Sequence, residues 1–399
     1  MPPIPRRSIH LPAPGTRRAV VIGAGSFGTA VAVLLARGGL RTTLQARTQE
    51  QAQQLNEHRE NRTYLSGVEL PRELRIEPVE SGLARADYVF LGVPSIGLDG
   101  VIDGLEGRGL PDRAAIISLA KGLVPPAGLP PTLLLTRRFG ASRTGCVGGP
   151  AHAREMVSAG AGLVAASSEE ALASAIAGVF IRAGVVCEES NDPIGVELAG
   201  AAKNAAALAS GATEAQGLNA AGAAAGHIFA EVWRWAEAQG ARPESMIGLA
   251  GTGDLVATAL APESRNRRAG ELLAQGAPVS EIPARVGQAI EAFDSVPLLA
   301  RALTDAGIEA PVTSALASLI SGELPLDEWI GIVRTTLPPP ARWRPSVRPG
   351  FWRRLRERIR NWFQRRHETF TDDEGGDVTL TQEREMKERE HAPDHRHSG

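Results

Sequence analysis

Arginine carries nearly all of the positive charge in this 399-residue chain: of 43 Lys and Arg side chains, only Lys121, Lys203 and Lys387 are lysine. Arginine keeps its proton near neutral pH, whereas a desolvated lysine ammonium can release one, so a lysine kept in such a chain is a candidate for proton transfer. Lys387 falls in a charged tail and reads as a chance survivor of the bias; for Lys121 and Lys203, position in the fold decides. A second pattern is glycine-rich. Gly23-x-Gly25-x-x-Gly28 follows an apolar run at 19–23 and opens a helical pattern over 29–37. In that setting Gly23 allows a tight turn, Gly25 lets a pyrophosphate approach backbone amides, and Gly28 lets the helix pack on the strand. A plain glycine turn in an apolar core would use the same residues. About twenty residues beyond such a turn a carboxylate is expected to hold the ribose of NAD. Gln45 and Arg47 stand there instead. A missing acid and a present cation lean toward NADP, with Arg47 as a solvated loop residue the alternative.

Those groups need a scaffold. Short β-rich runs at 19–23, 42–45, 88–93, 114–119, 145–148, 162–166 and 185–188 alternate with helical stretches, among them 49–60 and 169–183. Alternation of this kind predicts a parallel sheet with crossover helices. From Asp192 onward Ala-rich helical stretches take over, notably 194–210, 220–239 and 296–306, with no convincing strand. The expected organisation is an α/β Rossmann-type dinucleotide-binding domain over 18–190, an all-α substrate domain over 191–337, and an extension over 338–399 that begins at Pro338, Pro339 and Pro340. With 43% apolar residues the chain has material for two cores, and a net charge of −2 gives no reason to expect nucleic acid. Cys146 and Cys187 lack metal-like spacing and four of the eight histidines fall after residue 366, so no metal site is expected. No apolar run is long enough to span a bilayer and no signal region opens the chain, so a cytoplasmic protein is expected.

Ordered blocks run along the chain: Gly23-Ala-Gly-Ser-Phe-Gly-Thr-Ala, Asn56-Glu-His-Arg-Glu-Asn, Val93-Pro-Ser, Ala120-Lys-Gly, Gly148-Gly-Pro, Ile194-Gly-Val-Glu-Leu-Ala-Gly-Ala-Ala-Lys-Asn, Gly248-Leu-Ala-Gly-Thr-Gly-Asp-Leu and Ser264-Arg-Asn-Arg-Arg. In these blocks the chain resembles the NAD(P)-dependent glycerol-3-phosphate dehydrogenase family over roughly residues 18–335. The resemblance implies interconversion of sn-glycerol 3-phosphate and dihydroxyacetone phosphate by hydride transfer, supplying phospholipid synthesis. It assigns catalysis to Lys203 as general acid/base, with Lys121 and Asp254. The substrate would meet Lys121, Gly149, Ala151, Lys203, Asn204, Asp254, Thr258, Ser264, Arg265 and Asn266, the last pair gripping its phosphate. NAD or NADP would meet Gly23, Gly25, Ser26, Phe27, Gly28, Arg47, Lys121, Ala153, Arg265, Ala289 and Glu291, with Glu291 near the adenosine end. Helix capping stays open for Asp254, and a solvated helix face for the arginines at 265, 267 and 268.

Two stretches depart from the family pattern. Gly149-Pro150-Ala151 lacks the usual Ser or Thr, and 218–227 lacks an acid, a lysine and an arginine, leaving His227 either a core histidine or a substitute for the arginine. Beyond Pro338 the resemblance ends. Residues 341–366 hold ten arginines against Glu357, with Phe351, Trp352, Leu355, Ile359, Trp362 and Phe363 at helical spacing. A basic amphipathic helix over 350–366 suits peripheral contact with the inner membrane face; docking on the chain itself or in a homodimer fits equally. Residues 367–399, with ten acids and four Lys or Arg, are expected to be a disordered acidic tail. Three rivals remain: a same-fold dehydrogenase of another small hydroxy acid, a weakly catalytic nucleotide-binding protein, and a membrane-associated module.

Overall fold

The computed structural model describes residues 17–287 and 289–337; the expectations for 350–366 and 367–399 lie outside the described residues. Among the described residues ten strands occur: β1 (Arg18–Ile22), β2 (Arg41–Ala46), β3 (Glu60–Asn61), β4 (Leu65–Glu69), β5 (Arg75–Pro78), β6 (Tyr88–Leu91), β7 (Ala115–Ser118), β8 (Thr144–Gly148), β9 (Gly162–Ala166) and β10 (Val186–Ser190). Eight of them form one sheet in the order β10-β9-β8-β7-β6-β1-β2-β5, while β3 and β4 pair as a small hairpin. The central β6 and β7 are apolar and buried at nearly every position, as strands covered on both faces must be. Helices α1 (Ser26–Arg37), α2 (Gln49–His58), α3 (Leu98–Gly107), α4 (Pro131–Phe139), α5 (Ala153–Ser158) and α6 (Glu170–Arg182) make the connections. Because β1 leads to β2 on one side and β6 to β7 on the other, the chain reverses between β1 and β6. That reversal opens a crevice at the carboxyl ends of the strands, where such sheets bind ligands.

The expectation of an all-parallel sheet is corrected at one place: β9 pairs antiparallel to β8, through Cys146 with Ala166, Val147 with Ala165 and Gly148 with Val164. The cause is the connection. Its only helix is the six-residue α5, about 9 Å long, too short to carry the chain back along a strand of about 16 Å. The chain turns at the carboxyl edge and returns as a wide hairpin. Polar β5 and the β3–β4 hairpin were not foreseen, because their residues lack a clear apolar alternation.

Beyond residue 190 the described chain is helical: α7 (Pro193–Thr213), α8 (Leu218–Ala238), α9 (Pro243–Ile247), α10 (Asp254–Leu260), α11 (Arg265–Ala274), α12 (Ile282–Val286), α13 (Glu291–Asp305), α14 (Pro311–Ser321) and α15 (Leu326–Thr335). The 21-residue α7 is buried on every side, which explains its Ala- and Gly-rich composition. Asp192 caps it by accepting from the Gly195 amide at 2.9 Å, and also accepts from the Arg242 amide and Ser245 Oγ at 2.7 Å each. At Gly211 and Gly270 helices α7 and α11 touch backbone to backbone, where any side chain would collide. Two buried glutamates make long-range caps. Glu197 on α7 accepts from Thr132 N at 3.0 and 2.8 Å and from Thr132 Oγ1 at 2.5 Å, tying α4 to α7. Glu231 on α8 does the same for α14 through the amides of Val312 and Thr313.

Candidate active site

The glycine turn lies at the crevice. Gly23 has φ +108°, and a Cβ there would come within 2.5 Å of the Gly92 carbonyl after β6, so glycine is required on both counts. A side chain at Gly28 would strike the Gly23 carbonyl, whereas one at Gly25 would meet open space. Gly25 opens α1 and no side chain caps that helix end, leaving its first amides for a ligand. The turn is braced by Asn61, whose Nδ2 donates to Ala24 O at 3.0 Å and Thr29 Oγ1 at 2.8 Å. Sequence reasoning quoted Asn61 within a block but gave it no role; its only signal was its place there. Gln45 is fully buried, donates to Ser81 O and accepts from Arg108 at 2.5 Å, so it turns away from the crevice. Arg47 is exposed just beyond β2, and its amide donates to Gln51, which in turn donates to Ala24 O in the glycine turn.

Two scarce lysines converge on one carboxylate. Lys121, three residues beyond β7, donates from Nζ to Asp254 Oδ2 at 2.6 Å and to Gly149 O at 2.8 Å, and lies 5.5 Å from the Phe27 ring centroid. Lys203, near the middle of α7, stands 3.5 Å from Asp254 Oδ1 and donates to Thr258 Oγ1 at 3.2 Å. Thr258 is one turn beyond Asp254 and donates to its Oδ1 at 3.3 Å. Asp254 begins α10 after a wide helical turn, Leu249–Gly253, closed by Gly253 N to Gly248 O. Its carboxylate caps no helix amide, which sets aside the capping alternative. Burial pulls the Lys203 ammonium below its usual range; the Asp254 charge opposes that shift and the Lys121 charge adds to it. Burial alone would raise Asp254, but Lys121 and then Lys203 outweigh it and the carboxyl titrates below its ordinary value.

A chain of amides extends from the lysines. Asn204 Nδ2 donates to Lys121 O at 2.9 Å and to Glu291 Oε2 at 2.8 Å, and its Oδ1 accepts from Asn266 Nδ2 at 2.8 Å. Asn266 Oδ1 accepts from the Ala292 amide at 3.1 Å. The three arginines of α11 divide. Arg267 is held by Glu214 at 2.9 Å and Glu271 at 3.1 Å, Arg268 is exposed, and Arg265 donates to Ala289 O at 3.1 Å. Among the described residues no carboxylate pairs with Arg265, so its charge remains for an anion.

Family models agree with this plan in both halves. The model for the NAD-dependent glycerol-3-phosphate dehydrogenase N-terminus matches residues 18–173, and that for the C-terminus matches 192–331. The chain belongs to the NAD-dependent glycerol-3-phosphate dehydrogenase family. It is 36% identical over 312 residues to the glycerol-3-phosphate dehydrogenase [NAD(P)+] of Deinococcus radiodurans, covering 76% of this chain and 90% of the relative. It is 34% identical over 314 residues to that of an Acidovorax species, covering 76% and 93%. Among solved structures, glycerol-3-phosphate dehydrogenase from Coxiella burnetii superposes with a TM-score of 0.76 at 26% identity, covering 81% of this chain and all of that one.

Within this family member, the cluster unites Lys121, Lys203, Asp254, Thr258, Asn204, Asn266, Glu291, Gly149 and Phe27. Glu291, expected near the adenosine end, here bonds Asn204 beside the lysines. Ser26 starts α1 and Ala153 starts α5. Ala151 packs on the core of the nucleotide domain. Ser264 caps α11 through the Arg267 amide. His227 is half-buried on α8, and no hydrogen bond among the described residues joins it to the cluster. Sequence reasoning gave no role to Glu197, quoted only within a block, to Asp192, noted only as the start of the helical half, or to His152.

Proposed function

We propose that the chain interconverts sn-glycerol 3-phosphate and dihydroxyacetone phosphate, using NAD or NADP and supplying glycerol 3-phosphate for phospholipid synthesis. The observation that carries this reading is the convergence of both scarce lysines on the buried Asp254, at the sheet edge that holds the glycine turn. The open space at Gly25 and the uncapped start of α1 fit a dinucleotide pyrophosphate. When bound, the nicotinamide supplies or accepts the hydride.

The chain's own groups do the rest. Lys203 takes the hydroxyl proton as the alcohol is oxidised and returns it on reduction; burial favours the neutral amine it needs as a base. Asp254 and Thr258 fix its Nζ, and the Lys121 ammonium stabilises negative charge developing on the substrate oxygen. Asn204 holds the amide chain in register, while Arg265 and Asn266 take the substrate phosphate, the guanidinium through paired donors. With Gln45 turned inward and no acid at the end of β2, the exposed Arg47 supports the lean to NADP.

The test is turnover of dihydroxyacetone phosphate by the purified chain with NADH and NADPH separately, beside dihydroxyacetone. We expect cofactor oxidation with the phosphorylated ketone and at least about tenfold lower kcat/KM without the phosphate. Nucleotide binding without turnover would favour the weakly catalytic rival instead. The ten arginines at 341–366 and the six apolar side chains at helical spacing over 351–363 support peripheral contact with an anionic membrane. Liposome co-sedimentation of the full chain against a chain ending at Pro338 should lose binding in the shorter form; equal partitioning would contradict it.

A further inference from the structure

The geometry points to His152 as a positioning residue that clasps the nucleotide-domain loop to the helix carrying Asp254. This inference rests on the proposed reaction. The loop from Gly149 to His152 leaves β8 at the carboxyl edge. It is fixed at its start, where Gly149 has φ +95° and its carbonyl accepts from Lys121. Its far end is anchored too: His152 precedes α5 and its carbonyl accepts from the Met156 amide, while Val157 O accepts from Arg37 of α1. The loop therefore moves with the nucleotide domain.

Three contacts join this segment and Lys121 to the turn and helix that present Asp254. Lys121 meets Asp254, Pro150 Cδ lies 3.8 Å from where a side chain on Gly253 would begin, and His152 Nε2 stands 3.3 Å from Ala257 O. A carbonyl can only accept, so the ring carries its hydrogen on Nε2. Ala257 lies between Val256 and Thr258, and its carbonyl also takes the Ala261 amide at the end of α10. The ring is half-buried. Lys121 and Pro150 hold the start of α10; His152 alone of the three holds its last turn, at the carbonyl of Ala257. Without that hold the short α10 can tilt about Gly253, shifting Thr258 and hence the Nζ of Lys203. Hydride transfer is sensitive to displacements of about 1 Å.

The test compares His152→Ala with His152→Gln in the full chain. Glutamine places an amide N–H close to where Nε2 lies and restores the donor without the ring. Two readouts are used: kcat and KM for dihydroxyacetone phosphate, and hydrogen exchange over 254–260. The alanine variant should lower kcat by about tenfold or more while the cofactor KM stays within about twofold, and exchange over 254–260 should rise. The glutamine variant should keep most of the kcat and the wild-type exchange. An alanine variant with wild-type kcat and exchange, or a glutamine variant indistinguishable from alanine, would overturn the clasp. If the wild-type chain turns over no dihydroxyacetone phosphate, the reaction assigned to the site fails, and the exchange measurement alone decides the clasp.

Discussion

At the scale of single residues, the site depends on a balance among three buried charges. Lys203 loses basicity through burial and regains part of it from Asp254, while Lys121 stands 2.6 Å from the same carboxylate. Replacing Asp254 with asparagine removes the charge that raises Lys203 and keeps the shape. Its neutral form is then reached at lower pH. In the kcat–pH profile for glycerol 3-phosphate oxidation, which needs the neutral amine, the rising limb should move to lower pH in Asp254→Asn. A limb that stays in place or moves up would contradict the assignment. Much of this cluster was legible beforehand, since lysine is conspicuous in an arginine-dominated chain and the ordered blocks marked Asp254, Asn204 and Arg265. The turn of Gln45 into the protein and the meeting of Glu291 with Asn204 were not, because both depend on what lies across the fold.

Among the elements, α7 has the most to position: it presents Lys203 and Asn204 to the cleft and Glu197 to the start of α4. Burial pushes the Glu197 carboxyl up to about 8, against the opposing hydrogen bonds from Thr132. An acid raised on folding binds more protons in the folded state between its ordinary value and its folded one. Its contribution to stability therefore falls as pH rises from about 4.5 to about 8 and levels off above. The wild-type melting temperature should carry this decline, amounting to roughly several degrees. Glu197→Gln, which cannot ionise, should lack it. Parallel melting curves for the two across that range would show that Glu197 does not titrate there. The helices and apolar central strands followed from periodicity, whereas the antiparallel β9 did not. Its direction is set by the length of α5, and a one-and-a-half-turn helix leaves little trace in the sequence. The close approach of α7 to α11 was likewise invisible, since Gly211 and Gly270 look like any glycine within a helix until the partner backbone is present.

On the scale of the molecule, a nucleotide-binding sheet and a helical bundle meet along one cleft, and both supply the cluster. The sheet contributes the glycine turn, Lys121 and Gly149; the bundle contributes Lys203, Asp254, Thr258, Asn266 and Arg265. This division explains why the site could be listed from sequence blocks yet assembled only in three dimensions: Lys121 and Asp254 are 133 positions apart. No helix of the described residues is long and apolar enough to cross a membrane. The central claim is that Lys203 exchanges the proton while the other groups hold the substrate. It is tested most directly by Lys203→Arg, which keeps the positive charge and cannot act as a base near neutral pH. Turnover of dihydroxyacetone phosphate should fall by about 10²–10⁴-fold in this variant, with binding of the reduced cofactor, followed by its fluorescence, unchanged within about threefold. An arginine variant that turns over at a rate within about threefold of wild type would contradict the account.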